Sequence, residues 1–430
     1  MKKLPPVMLI EPSSRQKQQR TARLLFARAE DYHEEEVKLR LKEIRAYSAE
    51  NMTALAEAFR RNVANYNGAN VAFARDAAEV VAYLNNIVPE TKSVALGKST
   101  VLNELKPTLE RKGYKFIDTY SAQFFKQADI EKQLKYPWQL PLLLNQTAWD
   151  TFDYSGGLSL PVTPEQEIKD VVALLSVNAV SAEDGSIFFL QHSGNIGNML
   201  RQAKKLVLVI GLDKLVRNSD EAFFQTRCAG AFGMESVLLD LKVNKATEEF
   251  VDPWTQIPVA AGLDRELHVI LLDNGRTGIA QGEYREMLKC IACRACMKNC
   301  TGYRYLSDFN FYPREYIWSF LMGYSKSIET CIQCAMCQAE CPVDIPLTKL
   351  IAMARAQYCP KIARKLDNLA LMNMTTLAPL MCLFAPVVNA FAGVKPLRVI
   401  IEKMAGIDRR RRAPTFNYVT FERWFKSRHE

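Results

Sequence analysis

Eight of the eleven cysteines stand in two strings with identical spacing. Each string reads C-x2-C-x2-C-x3-C, and Pro342 follows the second one. Three thiols two residues apart can wrap a short loop around one cubic cluster, and this spacing is typical of bacterial ferredoxins. It predicts two [4Fe–4S] clusters and an electron-transfer role. The strings are Cys290, Cys293, Cys296 and Cys300, then Cys331, Cys334, Cys337 and Cys341.

The fourth cysteine of each string is predicted to bind the cluster of the other string, as in two-cluster ferredoxins. Cluster 1 would be held by Cys290, Cys293, Cys296 and Cys341, and cluster 2 by Cys331, Cys334, Cys337 and Cys300. Such crossing ties both loops into one small domain and sets the clusters close enough for electron hopping. Thr301 stands where a proline often follows, which weakens the expectation for Cys300 without changing the number of ligands.

Two other uses of the cysteines fit the spacing less well. Structural zinc needs four tetrahedral ligands, commonly from two C-x2-C pairs, and does not need a third cysteine in each string. A disulfide framework is typical of secreted chains. The three cysteines outside the strings are isolated and are expected to be small buried hydrophobic residues; they are Cys228, Cys359 and Cys382.

Composition places the chain among globular proteins of two or three domains. It has 430 residues, of which 48% are hydrophobic and 24% charged. The net charge of +9 suits an acidic partner or an anionic surface, whereas no long basic and aromatic stripe favours nucleic acid. Three prolines within the first 12 residues interrupt the apolar run there, so no secretory signal is predicted and a cytoplasmic location is expected.

Short apolar runs alternate with helical patterns from about residue 70. Strands are expected at 71–74, 93–96 and 114–117, with helices at 77–86 and 100–111 between them. This order predicts a parallel sheet with right-handed crossovers. Further strands are expected at 206–210 and 268–272, a hairpin turn at Asp184-Gly185, and helices at 13–66, 218–227 and 283–289.

The pattern divides the chain into four segments. Residues 1–66 form an N-terminal helical arm, 67–282 an α/β domain, 283–362 an α-helical two-cluster ferredoxin-type domain, and 363–430 a helical segment. That last segment has an apolar, Met-rich stretch at 369–394, where prolines favour two short helices over a membrane span. Its basic and aromatic end favours an interface with a protein partner or, second, a membrane surface.

Polar loops at strand ends are the candidate ligand sites of the α/β domain. Lys98 and Ser99 follow a strand and precede a helix, so backbone N–H groups and the lysine could hold an anion. Turn and cap formation is the simpler role for each residue taken alone. The full candidate set for a small carboxylate or a cofactor is Lys98, Ser99, Asp184, Gly194, Asn195 and Arg276.

Several stretches resemble the B-type iron–sulfur subunit of the lactate-utilisation complex. They are NVAFARDAAEVVAYL (70–84), SVALGKSTVLNEL (93–105), AEDGSIFF (182–189), HVILLDNGRTGIAQGEYREMLKCIACRACMKNC (268–300) and the tail AP-TF---TFERWFK (413–426). The resemblance covers about two-thirds of the chain. It implies a lactate-utilisation (LUD) domain of the ribose-isomerase/CoA-transferase-like α/β class, with a mostly parallel sheet, ahead of the two-cluster domain.

The resemblance also implies a function and partners. The chain would relay electrons through two [4Fe–4S] clusters in a multi-subunit complex that oxidises L-lactate to pyruvate. A CCG-domain iron–sulfur subunit and a second LUD-type subunit would be its partners, because this chain has no Cys-Cys-Gly sequence. One alternative is a connector docked at the inner face of the cytoplasmic membrane for another quinone-linked complex. The other is a LUD enzyme that binds a small carboxylate itself, with Lys98 and Arg276 as clamps.

Overall fold

The computed structural model describes residues 4–12, 34–66, 68–97, 99–119, 171–190, 195–233, 254–259, 266–297, 300–302, 312–323, 331–362, 373–405, 408–411 and 415–429. The chain forms two compact units, Met1–Ile351 and Ala352–Glu430. Both cysteine strings belong to the first unit. The predicted boundary between residues 282 and 283 therefore falls inside a compact unit.

A six-stranded sheet forms the centre of the α/β part, and its pairings are all parallel. This confirms the predicted parallel sheet. Its strand order is β2-β11-β8-β5-β3-β4. The strands are β2 (Ala69–Ala74), β3 (Ser93–Leu96), β4 (Lys115–Asp118), β5 (Val172–Leu175), β8 (Lys205–Gly211) and β11 (Glu266–Leu272).

Helices α3 (Ala77–Leu84) and α4 (Thr100–Arg111) pack their apolar faces on this sheet. Asp76 and Ser99 begin them as N-caps, because each side chain accepts a backbone N–H of the first turn, at 3.0 Å in both cases. Leu84 and Leu102 are fully buried against strand residues such as Val209. The capping residues and the helical spacing are both local signals, and here the sequence-based bounds agree closely with the structure.

A second, mixed sheet has the order β10-β1-β7-β6-β9. Strands β6 (Ala179–Ser181) and β7 (Ile187–Leu190) form the predicted hairpin, with Gly185 at φ 75° in its turn. Strand β1 (Val7–Pro12) pairs in parallel with β7 and antiparallel with β10 (Trp254–Val259), and β9 is Leu215–Val216. The predicted helical arm is therefore wrong at its start, because a short apolar run between prolines there completes a sheet.

Two helices, α1 (Glu34–Glu50) and α2 (Met52–Val63), follow in the region predicted as one helix, whereas residues 13–33 lie outside the described part. The first unit has further helices in the part of the chain that the structure describes. They are α5 (Asn195–Gln202), α6 (Ser219–Phe232), α7 (Arg276–Gln281), α8 (Pro313–Leu321) and α9 (Met336–Ala339), with 3-10 turns at Leu212–Lys214, Arg285–Lys289 and Ala295–Met297. Helix α10 is Leu347–Ile362.

The second unit continues with helices α11 (Met374–Leu383), α12 (Ala385–Ala392), α13 (Lys395–Ala405) and α14 (Phe421–His429). The first two match the pair of short helices expected there. Among the residues that the structure describes, no helix combines the length and the apolar run needed to cross a membrane.

Candidate iron–sulfur centre

The two cysteine loops share one backbone conformation. Ala292 and Arg294 in the first loop have φ values of 59° and 63°, and Gln333 and Ala335 in the second have 56° and 62°. These residues hold matching positions, two after the first cysteine and one after the second of each string. The left-handed region costs a residue with a Cβ about 1–2 kcal/mol. Both loops therefore adopt the same unfavourable backbone conformation, and binding of the same kind of group in each loop accounts for it.

Backbone N–H groups point at sulfur in both loops. Ala292 donates to Cys290 Sγ at 3.3 Å, and Gln333 donates to Cys331 Sγ at 3.4 Å, again at matching positions. Ile345 donates to Cys341 Sγ at 3.4 Å. Such donors favour thiolate over thiol and tune the potential of a cluster that the sulfur binds.

The fourth cysteine of each string lies with the other string. Cys341 interacts electrostatically with Cys290 and Cys296, and Cys300 interacts with Cys337. Burial raises the pKa of Cys341 to about 11 and that of Cys337 to about 12, and the neighbouring thiols add to both shifts. Ionisation of thiols in such groups requires a positive centre such as iron, which displaces their protons. No three Cys, His, Asp or Glu side chains in the described ranges converge on a single metal ion.

The second loop is the more exposed of the two. Cys296, Cys300, Cys337 and Cys341 are buried, whereas Cys334 is exposed. Its neighbours Ile332 and Met336 are 64% and 43% exposed. The second loop therefore presents an apolar face to solvent next to a thiol, which is a suitable place for electrons to enter or leave.

Arg45 on helix α1 holds the segment that leads into the first loop. It is completely buried. Its guanidinium donates to Leu288 O at 2.6 Å and to Lys289 O at 3.1 Å, directly before Cys290. Two further hydrogen bonds go to Asp213 O at 2.7 Å and to Gln225 Oε1 at 3.0 Å. One side chain thus links the α/β part to the position where the first loop begins.

A buried polar cluster links the carboxyl ends of the central strands to helix α8. Arg276, which follows β11, donates to both carboxylate oxygens of Glu104 at 3.0 and 2.9 Å and also bonds to the Asp213 carboxylate. Trp318 of α8 donates its indole N–H to Glu104 Oε1 at 2.5 Å, and its ring centroid lies 5.0 Å from the Arg276 guanidinium carbon. Asn274 donates to Glu104 Oε2 at 2.9 Å.

This cluster occupies the edge of the sheet where α/β proteins commonly bind ligands. Burial of the guanidinium lowers the pKa of Arg276, but the carboxylates of Glu104 and Asp213 have the larger combined effect and hold that pKa above its usual range. Burial also opposes ionisation of Asp213, yet Lys214 and Arg276 keep the pKa of that carboxyl far below its ordinary value. Arg276 is thus a permanently charged, internally paired residue, and a ligand would have to compete with two carboxylates for it.

The structure does not bring the described members of the predicted ligand set together. Ser99 caps α4 after β3, where its hydroxyl accepts the N–H of Leu102, whereas Arg276 follows β11; strands β5 and β8 lie between β3 and β11 in the sheet. Asp184 lies in the hairpin turn of the other sheet, where it accepts from Ser186 and Ser219 hydroxyls at 2.7 Å each. Lys98, Gly194 and the side chain of Asn195 lie outside the described residues.

Sequence reasoning missed four residues of this arrangement, namely Arg45, Glu104, Asp213 and Trp318. A signal existed for two of them. Arg45 lies four residues after buried Leu41 and three before buried Ser48 on one helix face, and Glu104 lies three residues after buried Val101. A charge on the inner face of an amphipathic helix indicates a buried partner, although it does not identify that partner.

Comparison with known proteins agrees with this geometry. The LUD domain family matches residues 56–136 and 169–272, and the 4Fe-4S dicluster domain family matches residues 286–345. The chain therefore contains two [4Fe–4S] clusters and has an iron–sulfur electron-transfer role. No solved structure matches it.

The similar curated proteins cover most of the chain. Lactate utilization protein B of Bacillus licheniformis is 27% identical over 371 residues, which is 80% of this chain and 76% of that protein. The protein of the same name from Geobacillus thermodenitrificans is 26% identical over 92% of this chain and 89% of its own length. An Escherichia coli K12 protein named uncharacterized electron transport protein YkgF is 26% identical over 76% of this chain and 73% of its own. The chain is therefore a LUD-domain protein with a 4Fe-4S dicluster domain, similar over most of its length to lactate utilization protein B.

Proposed function

We propose that this protein is the iron–sulfur subunit of a multi-subunit oxidoreductase that oxidises L-lactate to pyruvate. The observation that carries the electron-transfer part is the repeated loop, which has the same positive-φ residues and the same N–H···S bonds at both strings. The lactate part is supported by the similarity to proteins named lactate utilization protein B.

The proposed ligands follow from the proximity of the thiols. Cys290, Cys293, Cys296 and Cys341 hold cluster 1, and Cys331, Cys334, Cys337 and Cys300 hold cluster 2. When bound, each cluster takes up and releases one electron at a time. The residues of this chain bury two of the four cluster 1 thiols, Cys296 and Cys341, donate N–H groups to thiols of that cluster, and leave the loop of cluster 2 accessible at Cys334.

The ligand assignment can be tested on the full chain purified without oxygen. About eight irons per chain are expected from two cubes. Replacement of Cys341 by Ser should change the same EPR signal as Cys293→Ser, although Cys341 belongs to the second string. If Cys341→Ser instead changes the signal that responds to Cys334→Ser, the crossed assignment is wrong.

The substrate site is proposed to lie on a partner, because the described residues at the sheet edge are engaged with one another. The partners are a CCG-domain iron–sulfur subunit and a second LUD-type subunit. L-Lactate should reduce the clusters of this chain only in the presence of those subunits. Turnover of lactate by the isolated chain with an artificial acceptor would move the substrate site onto this chain and support the alternative of a LUD enzyme.

A second candidate is a connector docked on the inner face of the cytoplasmic membrane for another quinone-linked complex. It is favoured by helix α14, where Phe421, Trp424 and Phe425 share one face and are 74%, 44% and 48% exposed. Residues 373–430 carry ten Lys or Arg and four Asp or Glu. Exposed aromatic residues beside basic ones suit an anionic lipid surface.

Vesicle flotation separates the two candidates. If the protein is a membrane-docked connector, the full chain should float with vesicles that contain anionic lipid. The triple variant with Phe421→Ser, Trp424→Ser and Phe425→Ser should not float. If both forms float equally, or if neither form floats, α14 does not bind the membrane, and its exposed aromatic face is then expected to contact a protein partner.

A further inference from the structure

Arg314, the second residue of helix α8, is a buried cation beside the first cysteine string. Its side chain is only 4% exposed. Its backbone N–H donates to Cys296, and its guanidinium interacts electrostatically with Cys290. The guanidinium carbon lies 4.9 Å from the Trp318 ring centroid. Its Nε–H has no acceptor within the described part of the chain. A buried donor without an acceptor is costly, and the sulfur atoms of a bound cluster would supply one.

A second buried cation acts on the same thiol. Arg45 interacts electrostatically with Cys290. Its four hydrogen bonds go to carbonyl and amide oxygens. The Asp213 carboxylate interacts with Arg45 more strongly than Cys290 does, but Asp213 is also paired with Arg276 and Lys214 and so offsets only part of the Arg45 charge. Two arginines, from distant parts of the sequence, thus place positive charge in the interior next to the first string.

Glu315 offsets part of that charge. It forms an ion pair with Arg314 and accepts a hydrogen bond from the buried Tyr312 hydroxyl at 2.9 Å. Its side chain is 17% exposed, so water reaches it more readily than it reaches Arg314. Glu315, and more weakly Glu104, therefore reduce the electrostatic effect of the Arg314 charge without cancelling it.

Reduction adds one negative charge to a cluster and its thiolates. A fixed cation in a low-dielectric interior stabilises the reduced form more than the oxidised form, which raises the reduction potential. We propose that Arg314, assisted by Arg45 and moderated by Glu315, raises the reduction potential of cluster 1. This inference rests on the proposed function, since it takes Cys290, Cys293, Cys296 and Cys341 as the ligands of that cluster.

The test is an EPR-monitored redox titration of the full chain with both clusters in place. Arg314→Gln removes the charge, and we expect one midpoint to fall by at least a tenfold change in the oxidised-to-reduced ratio, or 59 mV for one electron. The other midpoint should shift less, because the thiols with which Arg314 interacts, Cys290 and Cys296, belong to cluster 1. Arg314→Lys, which keeps the charge, should retain most of the original potential.

Two further variants make the result specific. Glu315→Gln removes the moderating anion and should move the same midpoint in the opposite direction, upward. Arg285→Gln is the matched control, because Arg285 lies five residues before Cys290 but its side chain is 73% exposed, and water should screen its charge. Its titration should equal that of the unmodified chain.

The outcomes separate this inference from the proposed function. Absence of eight irons and of a cluster EPR signal in the unmodified chain would overturn the proposed function. Intact clusters with unchanged midpoints in Arg314→Gln, or equal shifts of both midpoints, would overturn the inference alone. If Arg314→Gln fails to assemble cluster 1, Glu315→Gln decides, since a downward or absent shift contradicts the proposed field.

Discussion

Trp318 and Glu104 join the dicluster part of the chain to the α/β part through a buried hydrogen bond. The indole N–H of Trp318 meets Glu104 Oε1 at 2.5 Å, across 214 residues of sequence. Glu104 is also held by both terminal nitrogens of Arg276. In α/β proteins the carboxyl ends of the strands commonly bind a ligand. Here the residues at those strand ends instead form the contacts between the α/β part and the dicluster part of the first unit.

Loss of the Trp318 donor should weaken the first unit. Trp318→Phe leaves a buried carboxylate with one acceptor site unsatisfied, which we expect to lower the free energy of unfolding by about 1–3 kcal/mol. Urea unfolding followed by circular dichroism measures this. Trp424→Phe is the matched control, because that ring is 44% exposed, and it should change stability by no more than about 0.5 kcal/mol. Equal effects of the two substitutions would contradict the role of the bond.

Loss of Arg276 should be more damaging. Arg276→Gln leaves Glu104 and Asp213 as buried carboxylates without their shared cation, and a cost of about 3–5 kcal/mol is expected. The free energy of unfolding measures the effect, with Arg285→Gln as the exposed control. In a double-mutant cycle, Glu104→Gln with Arg276→Gln should cost less than the sum of the single changes, since both remove one interaction. Additive costs would show that the pair is not coupled.

Stability should depend on pH through His268. Its Nδ1 lies 2.8 Å from the Tyr83 hydroxyl. Burial lowers the pKa of His268, and the neighbouring Glu266 opposes that shift only in part. The unfolded chain takes up a proton as pH falls through about 6.5, whereas the folded chain does so only at lower pH. The free energy of unfolding should therefore decline as pH falls below about 6.5 and be unaffected by this group above it.

The measurement compares unfolding at pH 7.5 and pH 5.5 in the unmodified chain and in His268→Gln. The variant should lose part of the decline. An identical decline in both proteins would assign the effect to other groups.

The conformation of the cysteine loops predicts a stabilising glycine. Ala335 is exposed and has a φ of 62°, a strained value for alanine and an easy one for glycine. Ala335→Gly should raise the free energy of unfolding by about 0.5–1 kcal/mol, because the relief of strain exceeds the added entropy of the unfolded chain. Thermal unfolding of the cluster-loaded chain measures it. Ala54→Gly, in the exposed face of helix α2, should lower stability by a similar amount. A loss at both positions would argue against strain in the loop.

Local features were predictable from the sequence. The cysteine spacing indicated both loops, and Ser99 was expected to precede a helix, because capping and loop formation involve residues within a few positions of one another. Alternation of apolar runs and helical patterns likewise indicated the parallel sheet. Strand β1 escaped prediction, since a run of four apolar residues between prolines shows its partner strands only when they are folded beside it.

The sequence by itself therefore determined the chemistry of this protein, namely two clusters beside an α/β domain. Only the tertiary structure decided what Arg276 does. Because it is a polar residue at a strand end, it was a candidate for binding an anionic ligand. In the structure it instead forms ion pairs with Glu104, 172 residues away, and with Asp213. Arg45 likewise meets Lys289 O across 244 residues. Ion pairs and hydrogen bonds between distant residues leave no local pattern, because the distance that sets their energy exists only after folding.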